Sequence, residues 1–186
     1  HAPSYGTDPY SEKAIQNIKK EFGENTQAYF VFNGTAANVV ALRFLVQRHE
    51  SILCSSVSHL AVDECGAPEF FAGKLITLEH TEGKISLETF KQSLIRQGDQ
   101  HYSQPRVISL TQPTEYGTCY SLSELKEIIT EAHRKNIYVH IDGARLANAC
   151  HFLRCTLKQM TTDLGVDVIS FGGTKNGLMM GEAILV

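Results

Sequence analysis

Along the chain, short β-branched and aromatic runs alternate with longer segments whose apolar positions recur every three or four residues. Asp8 followed by Pro9 opens the first predicted helix, with Ile15, Ile18 and Phe22 on one face and Gly23 as its stop. The run from Gln27 to Phe32 predicts a strand, Asn33-Gly34-Thr35 a turn, and Ala36 to Gln47 a helix with apolar residues on most sides. Ser51 to Ser55 predicts a short strand, Val57-Ser58-His59 a loop, Ala61 to Phe71 a helix and Lys74 to Leu78 another strand. Lys84 to Leu94 reads as helical through Ile85, Leu87, Phe90 and Leu94, and Arg96 to Gln104 as a polar loop. Arg106 to Thr111 returns to strand character, and Gln112 to Tyr120 is a turn-rich connection. Ser121-Leu-Ser-Glu124 is a capping box that opens a helix reaching about Lys135. Ile137 to Ile141 is a strand ending at Asp142-Gly143-Ala144-Arg145, followed by a helical stretch. Last comes the apolar run from Val166, which ends abruptly in Gly172-Gly-Thr-Lys-Asn-Gly177.

Strands separated by helices along most of the chain predict βαβ units. The expected fold class is therefore α/β: three layers, with a mostly parallel sheet and helices on both faces. In open sheets of this kind ligands bind beyond the carboxyl ends of the strands. A length of 186 residues suits one domain with a real core. The chain starts at His1 rather than at a methionine and closes on the apolar run Gly181 to Val186, so residues 1–186 are expected to be a piece truncated at both ends.

Composition narrows the function. Hydrophobic residues make up 42% and charged residues 20%, a globular balance, and a net charge of −3 provides no basic field for nucleic acid or an anionic membrane. Any anion must then be captured locally. Five scattered cysteines without a C-x-x-C pair signal neither a zinc site nor a disulfide framework, and a reducing cytoplasmic setting is expected. The eight histidines lack metal-type spacing, and no run reaches the length of a membrane span.

The unusual residues fall at predicted strand ends. Lys175, flanked by Thr174 and glycines, is either a surface lysine in a turn or a fixed amine suited to Schiff-base chemistry. The glycine turn at Gly34 and Thr35 opens a helix and could present N–H groups and a hydroxyl to a phosphate, or be an ordinary helix start. His59 is a solvated loop histidine or one that stacks on a planar ring and shuttles a proton. Asp142 could pair with a protonated ring nitrogen, and Arg145 with a substrate carboxylate, unless the two bridge each other. Together an amine, a carboxylate, a phosphate turn and an imidazole describe pyridoxal 5′-phosphate.

The segment His140-Ile-Asp-Gly-Ala-Arg-Leu-Ala-Asn-Ala149 resembles the H-x-D-G-A-R-x-x-N-A stretch of low-specificity threonine aldolases, in the β-eliminating-lyase group of fold-type I pyridoxal-phosphate enzymes. Tyr5 to Pro9, Phe32 to Asn38, Ser58-His59 and Gly172 to Gly177 follow in the family's order and approximate spacing, so the similarity covers nearly the whole chain. The resemblance implies the aspartate-aminotransferase-like large domain, with a smaller C-terminal domain supplying a further arginine for the substrate carboxylate. It also implies that Lys175 takes the cofactor aldehyde, Asp142 pairs with the ring nitrogen, and His59 covers the ring and acts as a base. Gly34, Thr35 and Thr174 would belong to the cofactor site, with the first two on its phosphate. Arg145 would contact the substrate carboxylate or the cofactor oxygen. Where many family members carry a histidine near the substrate hydroxyl, in a Glu-Asn-Thr-His-Asn-type loop, this chain has Thr111-Gln-Pro-Thr-Glu-Tyr-Gly117, which puts Glu115 in that place. Glu115 could accept the hydroxyl proton or serve structure alone.

The reaction implied is cleavage of a β-hydroxy-α-amino acid such as threonine or allo-threonine to glycine and an aldehyde, in a homodimer or homotetramer. Two other readings stand beside it. One is β-elimination from another amino acid by the same lysine and aspartate. The other is a non-catalytic module in which Lys175 only contacts a phosphate ligand.

Overall fold

A computed structural model of the protein describes residues 2–186. The first helix, α1 (Pro9–Phe22), begins where Asp8 accepts hydrogen bonds from the amides of Tyr10 and Ser11, and ends at Gly23. The strand β1 (Ala28–Val31) leads into α2 (Gly34–Leu45), whose cap is Asn33. Then come β2 (Ser51–Ser55), two short helices α3 (His59–Val62) and α4 (Ala67–Phe71), and β3 (Lys74–Leu78). The middle of the chain forms α5 (Leu87–Ser93), β4 (Pro105–Thr111), α6 (Leu122–Arg134) and β5 (Tyr138–Gly143). It closes with α7 (Leu146–Leu153), α8 (Leu157–Met160), β6 (Val168–Gly172), a 3₁₀ turn at Thr174–Asn176 and β7 (Glu182–Leu185).

These strands form one seven-stranded sheet in the order β1-β7-β6-β5-β4-β2-β3. The pairs β3–β2, β2–β4, β4–β5 and β5–β6 are parallel, while β7 runs antiparallel to both of its neighbours, β6 and β1. Six of the strands therefore point the same way. The α/β reading holds, and the closing run joins the sheet as its one reversed strand.

Period-two alternation assigns the faces. Leu53, Ile108, Leu110, Val139, Ile141 and Ile169 turn toward the larger core, which is closed by α1, α5, α6, α7 and α8. Ile52, Cys54, Val107 and Val168 turn the other way, beneath α2 and α3. On this second face, His140 and Asp142 stand two residues apart on β5 and so point together. His140 is fully buried and bonds Ser109 Oγ through Nδ1 and Ser170 Oγ through Nε2, both at 2.9 Å. A single imidazole thus links the three central strands.

Burial pulls His140 down from the ordinary 6.5 to about 4, only partly opposed by the charge of Asp142. Between those values the unfolded chain binds a proton that the folded one refuses, so stability is present above pH 6.5 and is lost as pH falls toward 4. The scale is about 3 kcal/mol. Glu64, raised from 4.5 first by its burial, works in the opposite sense and loses stability as pH rises. Denaturant titrations from pH 7 to 4 should therefore show a steeper acid loss in the wild type than in His140→Asn, which can still bond a serine but does not titrate.

Three expectations need correction. The helix expected over 61–71 is two short ones, because the chain reverses at Cys65 and Gly66, with φ of 53° and 72°, before Pro68. His59 accordingly sits at the first position of a helix rather than in a loop. The helix expected from Lys84 starts at Leu87, where Ser86 caps it by accepting from the Thr89 amide at 3.0 Å; Thr81 and Lys84 instead close a tight turn. Among the described residues no helix is long and apolar enough to cross a membrane.

Candidate functional site

The carboxyl ends of the parallel strands bring the chemistry-bearing residues to one edge of the sheet. Asp142 is the penultimate residue of β5 and only 5% exposed. Its Oδ1 accepts from the Ala144 amide at 3.1 Å, and its Oδ2 from Asn38 Nδ2 at 3.0 Å. No cationic side chain lies within ion-pair distance of it among the described residues. A buried carboxylate with hydrogen bonds but no counter-charge is costly to keep, and such groups concentrate at functional sites.

Asn38 comes from α2, one turn beyond Gly34 and Thr35, so its bond to Asp142 sets the helix N-terminus above the end of β5. As first-turn residues, Gly34 and Thr35 have no acceptor for their N–H groups within the helix. The capping side chain of Asn33 is engaged by the Ala36 amide at 2.8 Å. A Cβ on Gly34 would meet nothing within 4 Å, so this backbone faces open space. It presents a positive helix end to an anion.

His59 is the first residue of α3, with a side chain 29% exposed. Its Nδ1 lies 2.9 Å from Oε1 of Glu64, a residue in the break between α3 and α4. The same Oε1 accepts from Asn38 Nδ2 at 2.7 Å. His59, Glu64, Asn38 and Asp142 therefore form one connected network.

Lys175 lies in the 3₁₀ turn after β6 and is exposed, as is Thr174. Its turn is pinned from both sides. Asn176 Nδ2 donates to the carbonyls of Gly172 at 2.8 Å and Ala144 at 3.1 Å, and Glu182 accepts from the amides of Gly173 at 2.8 Å and Thr174 at 3.3 Å. The glycines permit this closeness. A Cβ on Gly172 would stand 2.3 Å from the Ala144 carbonyl oxygen, and one on Gly173 2.4 Å from that of Gly181. Gly172→Ala should therefore destabilise the fold by about 1–3 kcal/mol through backbone overpacking, read as a lower denaturation midpoint, and should displace the lysine turn from Ala144.

Arg145 is the cap residue of α7, and its Nη1 lies 4.0 Å from Oε2 of Glu115. It forms no bridge to Asp142, so the alternative of a mutual Asp142–Arg145 pair is not what the structure contains. Glu115 sits in the connection between β4 and α6, close enough to share the surroundings of Arg145.

Sequence reading missed Asn38, Glu64, Asn176 and Glu182. Asn38 carried a signal, a polar residue within the apolar stretch of α2; Glu64, which turns inward to 3% exposure, carried none. Among the described residues no cluster of histidine, cysteine and acidic side chains could hold a metal ion.

The chain is 43% identical over its whole length to a low specificity L-threonine aldolase from a Pseudomonas species and covers 54% of that protein. The chain thus spans about half the length of this curated relative. A threonine aldolase structure from Leishmania major superposes with a TM-score of 0.95 at 28% identity, over all of this chain and 55% of the other. An archaeal alanine:glyoxylate aminotransferase shares the fold with a TM-score of 0.70 at 15% identity, covering 93% of this chain and 44% of that one. The beta-eliminating lyase family profile matches residues 1–186, and the chain therefore belongs to that family.

Proposed function

We propose that this chain is the large, cofactor-binding domain of a pyridoxal-phosphate-dependent lyase that cleaves a β-hydroxy-α-amino acid of the threonine or allo-threonine type to glycine and an aldehyde. The observation that carries the reading is Asp142: a buried carboxylate without a cationic partner among the described residues, bonded to the helix whose N-terminus faces open space. A pyridinium N–H would supply the missing counter-charge, and a phosphate would take the free amides. The relatives named threonine aldolase support the same choice of reaction.

When bound, pyridoxal phosphate supplies an aldehyde for capture by amines and an electron sink for a carbanion at Cα. The protein's own residues then have distinct tasks. Gly34 and Thr35 would hold the phosphate at the α2 N-terminus, and Thr174 would belong to the cofactor site beside Lys175. Asp142 holds the proton on the ring nitrogen, which keeps the ring a good electron acceptor. Lys175 Nζ would be the amine that anchors the cofactor through its aldehyde. Arg145 binds the substrate carboxylate, for which it would leave Glu115 at the rim. His59 covers the ring, and its outward nitrogen, or a water held there, takes the β-hydroxyl proton as the Cα–Cβ bond breaks.

The open setting of Lys175 and Arg145 suits completion by further protein: a smaller C-terminal domain with a second carboxylate-binding arginine, and a neighbouring subunit of a homodimer or homotetramer. A cytoplasmic enzyme is the setting proposed, in keeping with five free cysteines. The family's description also favours a second reading, β-elimination from another amino acid. Product analysis of the full-length holoenzyme separates them: glycine with an aldehyde is expected from threonine, whereas pyruvate with ammonia from an amino acid bearing a β-leaving group, without aldol cleavage, would favour the second.

A further inference from the structure

We propose that Glu64 is a positioning residue that holds His59 as its Nδ1–H tautomer, leaves Nε2 free to act, and joins the imidazole through Asn38 to Asp142; this rests on the reading of His59 as the ring-covering base. The geometry starts from one oxygen. Glu64 Oε1 lies 2.7 Å from Asn38 Nδ2 and 2.9 Å from His59 Nδ1, and the amide nitrogen of Asn38 also donates to Asp142 Oδ2 at 3.0 Å. Both amide hydrogens of Asn38 are thereby committed to two carboxylates. An ionised Glu64 can only accept, so the hydrogen on the His59–Glu64 line belongs to Nδ1. Nε2 then carries the lone pair that can receive a substrate proton.

Fold stability alone gives little reason for this arrangement. The Glu64 side chain is fully buried, and its Oε2 and the Asn38 Oδ1 have no partner among the described residues. Each such buried, unpaired atom has given up its hydrogen bonds to water without a replacement. Two carboxylates share one amide, although burial and the neighbouring Asp142 both raise Glu64 above its ordinary 4.5, against the lowering contacts from Asn38 and His59. His59 and Asp142 are the titratable groups that face it. A buried carboxylate retained at this cost, touching a base and a cofactor-pairing acid, fits a site residue better than a structural one.

The test uses the full-length holoenzyme and Glu64→Gln, which preserves shape and removes charge. Threonine cleavage by the wild type reports on the functional reading and does not depend on Glu64, so the two can fail separately. In Glu64→Gln, kcat should fall roughly 10- to 100-fold with KM little changed. Added to His59→Ala, the same substitution should cost nothing further. A wild-type rate, or losses that simply add to those of His59→Ala, would overturn the proposal. Nitrogen-15 spectra of histidine-labelled wild type give an answer without any variant: Nδ1–H at His59 is expected, and an Nε2–H tautomer would contradict the assignment.

Discussion

Lys175→Ala is expected to abolish the absorbance of lysine-bound cofactor in the full-length protein and to lower turnover by roughly 10⁴- to 10⁶-fold, the scale of losing a covalent nucleophile. The expectation is sharp because Lys175 does nothing visible for the fold. Its side chain is exposed and forms no ion pair among the described residues, while the turn that carries it is held by Asn176 and Glu182. Exposed substitutions of this sort change stability by about 0.5 kcal/mol or less. The denaturation midpoint of the cofactor-free variant should therefore match the wild type while chemistry is lost. A variant that kept both spectrum and turnover would remove the central role given to this lysine.

Asp142 should separate charge from structure. In Asp142→Asn the side chain keeps an oxygen for the Ala144 amide, and the negative charge near Glu64 disappears. Removing a buried anion favours the fold, but the new amide NH2 meets Asn38 Nδ2, another donor, so stability is expected to stay within about 1 kcal/mol of the wild type. Turnover should nevertheless fall on the order of 10²- to 10³-fold, the usual cost of one preorganised electrostatic partner. Asp142→Ala adds a structural loss, because the Ala144 amide and Asn38 Nδ2 both lose their acceptor; about 1–3 kcal/mol is expected in denaturant titration. Unchanged turnover and a normal spectrum in either variant would contradict pairing with the ring nitrogen.

Much of this was legible in the sequence because it rests on local rules. Asp8-Pro9 and Gly23 mark the ends of α1, and the Ser121–Glu124 capping box opens α6, with both reciprocal hydrogen bonds present. The alternation of strand and helix yields the parallel sheet, and its carboxyl edge carries Asp142 and Lys175 as expected. What stayed hidden depends on distant contacts. Glu64 lies 26 residues from Asn38, and Asn38 lies 104 from Asp142, separations to which no periodicity points. The helix break at Cys65 and Gly66 was equally obscure, since good apolar residues on both sides suggested one continuous helix, whereas the reversal leaves Glu64 turned inward. Arg145 offered two partners by spacing, and only the fold brings Glu115 to it.

The most direct test of the account is reduction of the full-length, pyridoxal-phosphate-loaded protein with borohydride, followed by peptide mapping. A single pyridoxyl group on Lys175, prevented by prior incubation with excess threonine, is the result predicted. Labelling of a different lysine, or no covalent label in a protein that still cleaves threonine, would contradict it.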